Sequence, residues 1–194
     1  MPSSKTKSGV SELLQNKAEL KAKLKNSFPH ALKDHSPVVG ILYDGENADK
    51  SAKNASLAFS LVEALNSLGT SAMLITKQDD EKIPFELREK VCAISMKSKS
   101  WEKFYYACDM MIVLTDSGSD TENEKMYRDM LKNGIIPIAS RSQKFLSNYD
   151  PNHESGNCFI FDEKTIWEVF AATVRAIETY KFPYDWKNII RGNI

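Results

Sequence analysis

Three glycine-built signatures are missing from this chain of 194 residues: it has no GxGxxG, no GxxxxGK[ST] and no GxSxG. Their absence removes the dinucleotide fingerprint, the P-loop and the nucleophile elbow from consideration. Charge of one sign is missing too. Basic and acidic side chains number 26 each, the formal net charge is zero, and the pI is near 6.8. A balanced chain has no bulk attraction for nucleic acid or for an anionic membrane, so neither partner is expected. No apolar run is long enough to span a bilayer, and the polar start MPSSKTKSG does not read as a secretory signal. A cytoplasmic location follows as the expectation. Cysteine is scarce. Cys92, Cys108 and Cys158 lie far apart in apolar segments, which suits buried thiols better than a disulfide framework or a zinc site. The histidines His30, His35 and His153 pair with no cysteine at ligand spacing, so no metal is expected.

What is present is a regular exchange between two hydrophobic periods. PVVGILYD, residues 37–44, is almost continuously apolar, as in a strand buried on both faces. In the next segment Leu57, Leu61, Leu65 and Leu68 recur at helical intervals. TSAMLITK, CAISM, MMIVLTD, IIPIAS and CFIF read as further strands, with helices over SWEKFYYACD, TENEKMYRDMLKNG and EKTIWEVFAATVRAIETY. Asn133-Gly134 marks a helix exit, Asp162 a cap for the long helix, and Asp185 a cap for a last short one. Such alternation predicts an α/β fold: a single Rossmann-like, doubly wound and mainly parallel sheet. The organisation expected is a disordered stretch over 1–10, an N-terminal helix and connector over 11–36, and the sheet domain over 37–194. The lysines of the first helix read as a solvated face. Trp101, Phe104, Tyr105 and Tyr106 read as helix packing.

Ligands in such sheets bind beyond the carboxyl ends of the strands. Three loops qualify: DGENADK after the first strand, TDSGSDTENE after MMIVL, and SRSQKF after IIPIA. In the second, Ser117, Gly118 and Ser119 offer anion-binding groups at a helix start. Asp116, Asp120, Glu122 and Glu124 load the same place with negative charge, which fits a capped helix instead.

In order, the segments from about Asn16 onward resemble the C-terminal, nucleotide-sugar domain of bacterial glycogen synthases and plant starch synthases. NKAELKAKL before HSPVVGILYD is similar to the family's "NK..L...LGL" helix and opening strand. YYACDMMIVLTD resembles "aGADmfLmPSrfEP", and KNGIIPIAS resembles "ryGtiPvv". SGNCFIFDEKTIWEVFAATVRAIETY followed by WKNII resembles the family's "GTGFlF" strand, long helix and closing tryptophan segment. The resemblance implies a glycosyltransferase B domain and a retaining glucosyltransferase of carbohydrate metabolism. The substrate it implies is ADP-glucose or UDP-glucose, without a further cofactor, and the partners are glucan and a synthase N-terminal domain.

By the same resemblance Asp44, Lys50, Asp116, Ser117, Thr121, Ser142, Gln143 and Lys144 become the nucleotide-sugar-binding candidates. Glu122 is the candidate for catalysis. The family's phosphate-holding arginine, however, falls on Asp44, with Lys50 matching its lysine. Its "EPCGL" glutamate falls on Thr121, one residue from Glu122, and its "TGGL" turn becomes Ser142 to Phe145. A carboxylate where a leaving diphosphate should be stabilised works against transfer. The chain is therefore expected not to catalyse alone, and an N-terminal synthase region would have to complete it. Two alternatives stand beside this reading. One is a non-catalytic binding or regulatory descendant of the same domain. The other is a small nucleotide- or nucleoside-processing Rossmann protein with Glu122 or Glu124 acting on a ribose.

Overall fold

The first strand, β1 (Val38–Tyr43), is buried at all of its positions, as its unbroken apolar run requires. In the computed structural model, which describes residues 4–33, 35–44, 49–76, 83–115, 119–142 and 145–193, β1 lies inside a six-stranded sheet. The other strands are β2 (Ser71–Thr76), β3 (Cys92–Ser95), β4 (Met110–Val113), β5 (Ile136–Ser140) and β6 (Phe159–Phe161). Their order is β3-β2-β1-β4-β5-β6, and every neighbouring pair is parallel. This is the Rossmann-like, doubly wound α/β sheet expected.

Alternation along each strand sorts side chains into two layers. Val39, Ile41 and Tyr43 of β1 join Ile112 and Ile138 beneath α2 (Asp49–Ser67), α5 (Ile166–Tyr180) and α6 (Pro183–Arg191). Val38 and Leu42 face the other way, with Met73, Met111 and Val113, under α3 (Trp101–Tyr105) and α4 (Asp120–Lys132). Tyr105 is buried there, while Trp101, Phe104 and Tyr106 pack partly buried against the same layer. The three thiols are free and buried. Among the described residues no helix is long and apolar enough to cross a membrane.

Several local expectations are corrected. The first helix, α1, runs over Ser4–Ser27, so residues 4–10 are helical where disorder was expected, and Val10 is buried in the core. The cap of α5 is Thr165, whose hydroxyl accepts from Glu168 N, and not Asp162. At α6 the cap position is Phe182 with Pro183 following, and Asp185 sits inside the first turn. Proline fits there because its missing N–H would have no helical partner anyway.

The lysines of α1 are not all a solvated face either. Lys17 is 3% exposed, and its ammonium donates to Cys108 O at 2.6 Å, Tyr106 O at 3.1 Å and Asn133 O at 3.2 Å. Those carbonyls lie just before β4 and at the end of α4. One turn further along α1, Lys21 Nζ lies 2.5 Å from Asp109 Oδ2 and donates to the Tyr180 hydroxyl at 3.1 Å. Asp109 also accepts from Val38 N at 2.8 Å. Thus α1 is locked across the amino end of the sheet by buried polar bonds. Burial pulls Lys17 down to about 8, with Asp109 opposing it. For Lys21, burial works downward, but Asp109 and Tyr180 outweigh it and the ammonium is held above its usual range.

Candidate functional site

The strand order reverses between β1 and β4, so the crevice where ligands bind in this architecture opens beyond Tyr43 and Val113. Asp44 follows β1 directly and is half-buried. Across the crevice, Leu114 N donates to Leu42 O at 2.8 Å and carries the β1–β4 pairing one residue further. Asp44 therefore stands at the mouth of the crevice.

Of the other candidates, Lys50 falls in the first turn of α2, and its side chain lies outside the described residues. Asp116, Ser117, Gln143 and Lys144 lie outside them as well. Thr121 is exposed in the first turn of α4, and Ser142 is exposed just after β5. The structure thus puts Asp44, Thr121 and Ser142 beyond the carboxyl ends of β1, β4 and β5.

Glu122 has a specific occupation. Ser119 is the N-cap of α4, and Glu122 is the third residue of a capping box. The Glu122 carboxylate accepts from Ser119 N at 2.8 Å and from Ser119 Oγ at 3.0 Å, while Glu122 N donates to Ser119 Oγ at 3.3 Å. The helix start that could have received a ligand anion holds the chain's own carboxylate. Glu124 is likewise paired, with Arg128 at 2.6 Å. Ser119→Ala should cost about 1 kcal/mol and loosen the first turn of α4. Hydrogen exchange confined to the amides of 120–123 would register it, and unchanged exchange there would contradict the capping role.

Among the described residues, cations also reach this end: Arg141, from the SRSQKF loop that the sequence pointed to, and Lys164, which it did not single out. Arg141, directly after β5, is held by the Asp162 carboxylate that follows β6, through Nε and more distantly through Nη2 at 3.4 Å. Hydrogen bonding from Arg141 holds the Asp162 carboxyl below its ordinary range. Lys164, in the β6–α5 connection, donates to Leu114 O at 3.2 Å beside the crevice. No spacing rule points to Lys164. It lies 50 residues from its partner and comes near only because β5 and β6 stack beyond β4. Among the described residues no three His, Cys, Asp or Glu side chains gather as a metal-holding group.

Chemically, several donors described at the carboxyl end are already committed to acceptors of the same chain: Ser119 N and Oγ to Glu122, Arg141 to Asp162, and Lys164 to a backbone carbonyl. No protein-family model matches this chain, and no curated protein matches it.

Proposed function

We propose that this chain is a glycosyltransferase B domain of the glycogen- and starch-synthase kind. In this reading it descends from the nucleotide-sugar half of a retaining glucosyltransferase, has lost the donor site, and serves as a binding or regulatory module. The sheet order and the sequence of segments support the descent. The observation that carries the loss of catalysis is the self-occupied carboxyl end. Glu122 fills the start of α4, Asp162 holds Arg141, and Asp44 stands where the resemblance would place a phosphate-binding arginine. Stabilising a departing diphosphate needs preorganised donors aimed at the developing charge. Among the described residues, Ser119 at the start of α4 and Arg141 give their donors to carboxylates that belong to the chain.

The nucleoside-processing alternative requires Glu122 or Glu124 to address a ribose. Both are engaged, with Ser119 and Arg128 respectively, which favours the first reading.

Calorimetry with ADP-glucose and with UDP-glucose tests this directly. The chain alone should give no measurable heat at millimolar ligand. Asp44→Arg should gain affinity, because it restores a cation at the crevice mouth. Micromolar binding by the unaltered chain, or glucose transfer to glucan without a second protein, would overturn the proposal.

A further inference from the structure

The helix α5 carries two apolar stripes, and the sheet accounts for only one of them. Val169, Ala172, Ala176 and Ile177 are buried in the core. On the opposite side Trp167, Phe170, Ala171 and Val174 follow one another at spacings of three and four, so they form one face. Trp167 is 77% exposed, Ala171 is exposed, and Phe170 and Val174 are half-buried. The patch continues onto the end of the neighbouring α2. There Leu68 is 50% exposed and, with Val174 and Ile177, lines one side of a cavity of about 450 Å³. The outer face of a surface helix is normally polar, and a contiguous apolar patch on it marks an interaction surface.

We infer that this face of α5 binds a second copy of the chain, as a symmetric dimer in which the two α5 helices pack antiparallel about Ala171.

The charge pattern selects a second copy over another partner. Glu168 and Arg175 are both exposed, and their separation of seven residues, two helical turns, puts them on the same flank of the stripe. A two-fold axis level with Ala171 and Ala172 therefore sets Glu168 of each copy opposite Arg175 of the other. The pair attracts itself twice across the axis, whereas two like charges there would repel. Among the described residues the Glu168 carboxylate has no partner, since only its backbone N–H is engaged, by Thr165. Arg175 gives one donor to Ile160 O at 2.7 Å, and the rest of its guanidinium fork stays available. The carboxylate that Arg175 senses in its own chain, Asp162, is already held by Arg141.

Shape agrees with charge. Ala171 stands at the axis, where a small side chain lets two helices come close. The same axis brings Trp167 of one copy level with Ala176 of the other, over the side of the cavity formed by Leu68, Val174 and Ile177. An aromatic anchor seated in a pocket of the partner is the usual centre of binding energy in an interface. The far end of the cavity borders residue 34, which lies outside the described residues, and is not needed for this contact. The 15 residues of α5 span only about 22 Å, so the interface falls at the small end of the specific range and the dimer is a reversible, micromolar one. This surface does not depend on the reading proposed for the carboxyl end.

Sedimentation equilibrium of the full chain between about 5 and 500 μM tests the inference. The mass should rise with concentration from the 21.9 kDa of one chain toward twice that value. Trp167→Ala should weaken association about tenfold or more. Glu168→Arg and Arg175→Glu should each weaken it by a similar factor. An equimolar mixture of those two variants should associate as the unaltered chain does, because every facing pair is again of opposite sign. Arg175 also bonds to β6, so circular dichroism must show that Arg175→Glu is folded; if it is not, Trp167→Ala and Glu168→Arg decide alone. A chain that stays monomeric throughout, or a dimer indifferent to Trp167→Ala, would overturn the inference. A mixture of folded variants no more associated than either alone would overturn the antiparallel pairing.

Discussion

Asp109→Asn is expected to destabilise the protein by about 3–5 kcal/mol, the usual cost of removing one partner from a buried ion pair. The carboxylate is 2% exposed and meets two elements at once, accepting from Val38 N at the start of β1 and facing Lys21 of α1 at 2.5 Å. Asparagine can keep one acceptor for Val38. It cannot neutralise Lys21, and it leaves Lys17 without its main opposing charge. The buried ammonium of Lys17 and the partly buried one of Lys21, one turn apart on α1, would then repel each other without the carboxylate. For a chain of this size the loss corresponds to a fall in unfolding temperature of roughly 10 °C. Urea melts at neutral pH and fixed salt would measure it. A companion variant, Asp109→Leu with Lys21→Met, should recover much of the loss, because removing both charges also removes the cost of burying them. A loss under about 1 kcal/mol for Asp109→Asn would mean that the pair is solvated and that α1 is not locked as described.

Gly156→Ala is expected to be nearly as damaging, for steric rather than electrostatic reasons. Gly156 has φ of 107°, and an added Cβ would lie 2.4 Å from Asn148 O and 2.6 Å from Tyr149 Cα. Both contacts are with backbone, so no side-chain rotation relieves them. The strained conformation costs about 1–3 kcal/mol. The forced shift of packed chain adds a comparable amount. The consequence reaches the candidate site through Asn148, which bridges to Cys158 and whose side chain accepts from Ile160 N at 2.9 Å. Moving this segment displaces β6, and with it the Asp162 that holds Arg141. Increased hydrogen exchange should therefore appear in β6 as well as around 148–157. A variant with normal stability and exchange would show that the loop can relax independently of the strand.

The parallel sheet was legible because its signals are local. The run Val38–Tyr43 is apolar without a break since both of its faces are covered. The leucine spacing of 57–65 reports one helical stripe against the core, whereas Leu68 lies past the end of α2 and is exposed. Helix ends were read less well. Asp162 looked like a cap, yet it lies three residues before the actual cap, Thr165, and is drawn instead to Arg141. The α1 lysines looked solvated because a lysine-rich helix usually is. Only the carbonyls of Tyr106, Cys108 and Asn133, brought together by the fold, make a buried place for Lys17.

The candidate site divides in the same way. That Asp44 would end the first strand and face the crevice follows from the strand pattern and the rule for where doubly wound sheets bind ligands. That Ser119 and Glu122 could close a capping box is written in their spacing of three. The capture of Arg141 by Asp162, the approach of Lys164 to Leu114, and the cavity side framed by Leu68, Val174 and Ile177 all join distant residues. By itself the sequence determined which segments become strands and helices and which loops carry charge, because periodicity and capping act within a few residues. The tertiary structure alone decided which of those charges find partners, because that depends on strand order and on which chain ends the sheet brings side by side.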